Sequence, residues 1–469
     1  MSASTEKNDS ATSTIADQTP LASSPTPPGP SSGIVAAAPY AGQFLAQGPE
    51  IAKARKIYVN ILFQRTCLIV GAIFGIFSIY WGALWQLPAR SLRGWIVDFD
   101  GDQIGEFVTP VLSTNTAFSR VVDWRVLPAA KFPNGPDDVI AALLDEQCWV
   151  AITINPGATR NLNNSLSGGG SGSAPSSAIT AYALEARNEN AFRTLLRPTI
   201  TTLLDEVTHA YAVKVMADIV QSNTSIATLS PDILTRPIYF TLQNLRPFDV
   251  PVATAVTFIG LIYLLILSFI VVNSGILARA VSGIERKLTT ASLIRVRIVS
   301  PILIYFVLSL AYSLLTKAFK LPFDRHFGRA GFVLFWMLSW FGMMAAGLAL
   351  ESMMTLLTIK YIQVFLILWI IGNVSVCLWP IDALPVLYNY GHAAPFYQIS
   401  RGVRSIVFGT KNECERLIVT RNMLAERIDS GTKLRNFGRV DSNILYFTAG
   451  VAVECAKRRE AKSGGGSAR

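Results

Sequence analysis

The chain has 469 residues, of which 51 % are hydrophobic and only 15 % charged, and 41 basic against 31 acidic side chains give it a net charge of +10. So apolar a composition excludes an ordinary soluble domain, and in such a chain excess positive charge marks basic loops that hold orientation rather than a nucleic-acid partner. Five cysteines, Cys67, Cys148, Cys377, Cys414 and Cys455, occur without CxxC spacing, which argues against a disulfide framework or a zinc site.

Residues 1–52 open with a stretch rich in Ser, Thr, Pro, Ala and Gly. It holds too little apolar surface to offset the entropy of ordering and is expected to be a disordered cytosolic tail. No basic n-region runs directly into an apolar h-region there, so it does not read as a cleaved signal peptide. Within 53–86, Lys53, Arg55, Lys56 and Arg65 precede an uncharged apolar stretch, 67–85. A membrane-spanning helix needs about 20 such residues, because hydrocarbon satisfies no backbone N–H or C=O. The basic flank keeps the N-terminus cytosolic by the positive-inside rule.

Residues 87–248 form a polar segment long enough for a domain of its own. Residues 92–99, 121–127, 149–155 and 179–186 are strand-like, whereas 136–147 and 189–217 carry apolar residues at helical spacing. The alternation predicts a mixed α/β domain, extracytoplasmic on the assigned topology. Residues 165–177, with Gly168, Gly169 and Gly170 inside, read as a surface insertion. Asp98, Asp100 and Asp102 imitate the start of a calcium loop, but its twelfth position is Thr109 instead of the bidentate Glu, so an Asp-Gly turn closing a strand is expected. Asn163 and Asn223 carry N-x-Ser triplets and become glycosylation candidates if the domain faces the lumen or exterior.

The region 249–379 holds four more uncharged apolar stretches, 252–272, 298–316, 330–350 and 361–379. The intervening Arg279, Arg286, Lys287, Arg295 and Arg297, against Glu285 alone, place that loop in the cytosol, while Lys317, Lys320, Arg325 and Arg329 fall on the outer side as exceptions. Gly71 and Gly75 form a GxxxG pair in the first stretch, and Gly342/Ala346 with Ala345/Ala349 give small-residue faces in the fourth. Small residues let helix backbones approach closely, which fits a compact bundle and also a homodimer seam or a partner protein. Residues 380–412 are expected to be an extracytoplasmic amphipathic segment. Residues 413–469 are atypical: the apolar run 444–453 is about half a span, and the basic Lys457, Arg458 and Arg459 follow it.

No phosphate-binding loop, GxSxG elbow or HExxH helix occurs, and His209, His326 and His392 are far apart. No catalytic residue, cofactor or metal site is therefore expected, and the chain does not read as an enzyme. The apolar stretches carry no ionisable relay of the kind that proton-coupled pumps need.

Several ordered segments are similar to a known family. They are Ile79-Tyr80-Trp81-Gly82-Ala83, then Val97-Asp98-Phe99-Asp100-Gly101 with Ile104-Gly105, and Glu185-Ala186-Arg187-Asn188. Next come Arg236-Pro237-Ile238-Tyr239 and Asn244-Leu245-Arg246-Pro247-Phe248, then Gly391, Pro395-Phe396-Tyr397 and Phe408-Gly409-Thr410-Lys411-Asn412. Together they resemble the fungal nitrosoguanidine-resistance protein family, whose membrane part is similar to type-2 ABC-exporter permeases. The resemblance implies a six-span fungal protein with one large outer domain after the first helix. It also implies a plasma-membrane or secretory-pathway location and a link to drug or mutagen tolerance. The chain departs from the pattern at 413–435, a charged insertion before Asn436-Phe437-Gly438, after which the sixth span is lost or an exon boundary is misplaced.

The combined expectation is a polytopic α-helical membrane protein with a mixed α/β extracytoplasmic domain inserted between its first and second transmembrane helices. Its expected role is that of a permease, without an ATPase of its own, in lipid movement or in export of toxic compounds. The alternative is a non-transporting scaffold or regulator whose outer domain binds a protein or cell-wall partner.

Overall fold

A computed structural model describes residues 43–166, 178–221 and 231–411. The tail through residue 42, the glycine-rich insertion from 167 to 177, Asn223 and the atypical C-terminal segment with its 444–453 run lie outside the described residues. Chain contacts define two units, Met1–Leu68 and Ile69–Arg469. In the first, Arg55 donates to the Phe44 carbonyl at 3.0 Å and the Tyr58 ring meets Phe44 edge-on.

The first helix, α1, runs from Pro49 to Leu84 with a π-helical turn at Ile73–Phe77. Residues 49–52, expected to end the tail, open this helix instead. Proline at a helix start loses no hydrogen bond, and Glu50 complements the positive end of the helix dipole.

A five-stranded mixed sheet follows in the second unit: β1 (Leu92–Asp98), the helix α2 (Gln103–Thr114), β2 (Val122–Leu127), α3 (Pro136–Leu144), β3 (Val150–Ile154), α4 (Ala158–Leu166) and β4 (Ile179–Ala183). A π-helical turn at Phe192–Leu196 leads into α5 (Arg197–Gln221), and β5 (Phe240–Asn244) closes the sheet. The strand order is β2-β1-β3-β4-β5, parallel throughout except where β3 meets β4. Side-chain alternation explains the two layers. Leu92, Ile96, Ile152, Ile154 and Ile179 face the core shared with α2, α4 and α5, whereas Trp95, Val97, Ala151 and Tyr182 face α3.

The four strands read from the sequence are present, each slightly shorter at its ends. Three elements exceed that reading, among them α4, whose last two residues were expected to open the surface insertion. Strand β5 alternates buried Phe240 with polar Thr241 and Gln243 and so looked like loop, and α2 carries an internal Pro110 that broke its helical signal.

The apolar region forms α6 (Ala255–Ser282), α7 (Thr290–Ala318), α8 (Ala330–Val374) and, after a 3-10 turn at Val386–Ala393, α9 (Pro395–Phe408). Among the described residues, four helices are long and apolar enough to cross a bilayer: α1 with 36 residues, α6 with 28, α7 with 29 and Ala330–Leu357 of α8 with 28. The fifth apolar stretch appears as the shorter helix Tyr361–Val374. The contacts of α8 require it to double back between these two parts. Ser268 meets the Met343 carbonyl, Arg279 meets Glu351 one helical end further on, and Cys377 is again beside Thr257 at the start of α6. A straight helix rising about 1.5 Å per residue would have carried Cys377 away from Thr257.

Small and polar residues hold the bundle together. Gly342 lies against Ile399, and Gly347 lies under the Tyr305 ring. Tyr305 donates to the Ser268 carbonyl at 3.3 Å, and Trp340 Nε1 donates to the Ile302 carbonyl at 3.1 Å. Such contacts substitute for the hydrophobic drive that lipid cannot supply.

Candidate functional site

The Asp-rich turn after β1 is structural, as its spacing predicts. Gly101 has φ of +63°, a backbone state that favours glycine. Asp98 accepts from the amides of Asp100 and Gly101, Asp100 accepts from Thr159, and Asp102 caps α2 through the Gln103 amide.

The residues with unspent chemistry gather where the sheet domain meets the helix ends. After β4, the chain makes a 3-10 turn, Glu185–Arg187. Glu185 turns back, pairing with Arg193 at 2.6 Å and accepting from Asn244 Nδ2 at 2.8 Å and the Phe248 amide at 3.1 Å. That ties the turn to the strand leading into α6. Arg187 points the other way. It donates to the Cys148 carbonyl at 2.8 Å and approaches Glu146 and Asp382 at 3.5 Å each. Its guanidinium lies 3.6 Å from the centre of the Trp149 ring. Trp149 Nε1 in turn donates to Asp382 at 3.1 Å.

Helix α9 supplies the opposing wall. Its N-terminal proline and the Gly409 that ends it in a left-handed conformation, φ +67°, delimit a helix whose side chains are mostly buried. Arg401 reaches Glu146 at 2.7 Å. Arg404 reaches Glu189 at 2.5 Å and the Ala186 carbonyl at 3.0 Å. Beyond the helix, Lys411 pairs with Asp145 at 2.7 Å.

These groups enclose a cavity of about 210 Å³. Four cations, Arg187, Arg401, Arg404 and Lys411, line it with three carboxylates, Asp145, Glu146 and Asp382. Trp149, Trp379, His392 and Tyr397 complete the wall. Burial pulls Arg187 below the usual arginine range, and Glu146 and Asp382 oppose that shift. Burial likewise raises the Tyr397 phenol, and pushes the Cys148 thiol up to about 12, which keeps it in the unreactive protonated form. The arrangement can hold a charged group by ionic and hydrogen-bonded contact, with arginine forks that suit phosphate or carboxylate.

A second buried ionic cluster joins the opposite ends of the bundle helices. Glu351 of α8 receives Arg279 of α6 at 3.1 Å and Arg297 of α7 at 2.7 Å, and Arg297 also bonds Thr355. Arg279 further meets Glu285 at 3.2 Å. Glu351 follows directly on the uncharged stretch 330–350, so the sequence gives no hint that it is buried.

The singled-out residues are not brought together. Asn163 is exposed on α4. Gly342 and the buried Ala346 are spent in bundle packing, whereas around Gly71 and Gly75 no atom lies within 4 Å of where a side chain would begin. None of them lines the cavity. Its walls come instead from segments that carried the family resemblance: Arg187 and Asn188, Tyr397, and Lys411. Arg401 and Arg404 were the missed signal, two cations inside an otherwise uncharged 395–408 segment.

Comparison with known proteins agrees with this picture at family level. The uncharacterized endoplasmic reticulum membrane protein YJR015W of Saccharomyces cerevisiae is 25 % identical over 401 residues, covering 79 % of this chain and 78 % of its own. No solved structure matches. Residues 66–418 match the family described as Protein of unknown function (DUF3533), a span that takes in α1 from its middle, the whole sheet domain, the bundle and α9. The chain is an integral membrane protein of the DUF3533 family.

Proposed function

We propose that this protein is a permease-like membrane protein that takes a lipid or amphiphilic toxic compound by its charged head group at the junction cavity. The observation that carries the reading is the cavity itself, lined by four cations and three carboxylates and seated where apolar helices end. A head group would exchange for the internal ion pairs while its tail stays along the helices. The sheet domain is extracytoplasmic in this reading, supported by Lys53, Arg55 and Lys56 before α1 and by Arg286 and Lys287 after α6. The chemistry is binding and movement without bond-making, so the protein acts as no enzyme and needs no cofactor. A partner ATPase or the ligand's own gradient supplies the drive. The setting is a fungal secretory-pathway or plasma membrane. The name of the yeast relative favours the endoplasmic reticulum. A contribution to drug or mutagen tolerance follows if toxic amphiphiles are among the ligands.

A second reading is a non-transporting scaffold that binds a protein partner or a second copy of itself. It is favoured by the pairing of every cavity carboxylate with a cavity cation. Reconstitution into liposomes separates the two. Flux of a fluorescent phospholipid or cationic amphiphile, reduced at least about tenfold by Arg401→Ala, supports the permease. Absence of flux for every probe, with unchanged folding, overturns it in favour of the scaffold. Glycosylation mapping in the sheet domain, at Asn163 or at engineered acceptor sites, tests its side of the membrane.

A further inference from the structure

The 3-10 turn Val386–Ala393 is fastened to two apolar helix ends. The buried Tyr388 donates its hydroxyl to the Ile79 carbonyl of α1 at 2.7 Å. Gly82, one turn on, leaves room for that phenol; a side chain there would begin 2.7 Å from the Tyr388 oxygen. At the other end of the turn, Gly391 packs against Val376, two residues beyond the helix Tyr361–Val374. The tip is thereby held at the level of Ile79 and Gly82, which lie inside the uncharged 67–85 stretch.

At that tip two aliphatic side chains point outward, Val386 at 68 % and Leu387 at 76 % exposure. The neighbouring end of α1 exposes Trp81 at 64 % and Trp85 at 80 %. Indole rings at the end of a membrane helix belong to the headgroup region, where one part of the ring is wet and the rest apolar. Ile79 lies six residues before Trp85, about 9 Å deeper along a helix rising 1.5 Å per residue. A segment pinned to Ile79 is at or below headgroup level, where lipid and not water surrounds it.

We propose that Val386 and Leu387 form a wedge seated in the lipid leaflet at which α1 ends, its occupant being the phospholipid interface itself. The same turn carries His392, which lines the junction cavity, and begins four residues after Asp382, which lines it together with Pro380 and Ile381. Arg90 locks that approach through the Leu384 carbonyl at 2.6 Å and the Ile381 carbonyl. The wedge therefore sets the cavity at headgroup depth. Resting on the functional reading above, this names the ligand class as a membrane-resident phospholipid head group entering sideways from the leaflet.

The test uses full-length protein in phosphatidylcholine vesicles, labelled in parallel by a lipid-dissolved diazirine and by hydroxyl radicals in water. Peptides are compared by mass spectrometry, with Val126, an exposed residue on β2, as the aqueous reference. The wedge predicts diazirine labelling of 386–387 comparable to Trp81 and Trp85 and about tenfold above Val126, with little radical damage. Leu387→Asp should lower that labelling without changing the melting temperature. Radical damage at 386–387 matching Val126 overturns the proposal, as does protection from both reagents, which would mean a protein cover. The depth measurement is independent of any flux, so failure of the transport reading would leave it standing.

Discussion

Arg187 lies over Trp149, its guanidinium 3.6 Å from the ring centre, while its nitrogens reach Glu146 and Asp382. Two residues from the sheet domain thus form the floor on which the post-span segment at Asp382 and the helix carrying Arg401 are docked. Guanidinium stacks on an indole face because it is planar and weakly hydrated, which an ammonium cannot reproduce.

Removing Arg187 should therefore loosen the whole junction. Arg187→Ala leaves Asp382 without its cation and weakens the hold on Glu146, and is expected to cost about 3 kcal/mol. Arg187→Lys keeps the charge but loses the stack and the fork, at about 1–2 kcal/mol. Thermal unfolding of the purified protein checks the order wild type, Lys, Ala; equal melting temperatures would refute it.

Glu351 is the keystone of the other ionic cluster, since both Arg279 and Arg297 converge on one carboxylate oxygen. Glu351→Gln should destabilise by about 3–5 kcal/mol, because the buried Arg297 loses the carboxylate it pairs with and Arg279 is left with Glu285 alone. Combined with Arg297→Met the loss should be smaller than the sum of the two single changes. A double-mutant cycle on melting temperature measures that coupling.

The two small-residue faces should respond oppositely to bulk. Gly342→Leu drives a side chain into Ile399, whose Cδ1 lies 2.6 Å from where it would begin, and should cost about 1–3 kcal/mol. Gly75→Leu meets open space and should leave stability of the single chain unchanged or slightly raised. Should Gly75→Leu also abolish a crosslinked dimer, the α1 face is a seam between copies.

Acid should weaken the contact between the Asp324–Phe327 turn and the end of α9. Burial, with Arg246 and Arg325 nearby, holds the His326 imidazole below its ordinary value of 6.5. The unfolded chain therefore takes up the proton more readily than the folded one. The stability contributed by neutral His326 is intact above pH 6.5, declines as pH falls below 6.5, and levels off under the folded value. Between about pH 7.5 and 5 the melting temperature of wild type should fall further than that of His326→Gln. Parallel curves for the two proteins would contradict this.

Much of the fold was legible in the residues. Strands β1 to β4 announce themselves as short β-rich apolar runs, and Gly101 by the Asp-Gly turn it makes possible. The junction was not legible, because its partners are remote: Glu146 follows α3 while Arg401 sits on the last described helix, and Asp382 and Arg187 are separated by the entire bundle. Nothing local distinguishes a cation that will close over an indole ring from one left in water. Gly75 and Gly342 illustrate the same limit, being alike in sequence and different in what surrounds them.

The sequence by itself determined that this chain enters a membrane and carries a mixed α/β module after its first crossing. Transfer of an uncharged stretch into hydrocarbon, and the alternation of a two-sided sheet, are both properties of short contiguous segments. Only the tertiary structure decided which charges are buried in pairs, which glycines are packed and which are bare, and that a cavity forms where the module meets α9. Those outcomes depend on distances between segments far apart in the chain, and burial converts such distances into energy by stripping water from the groups that meet.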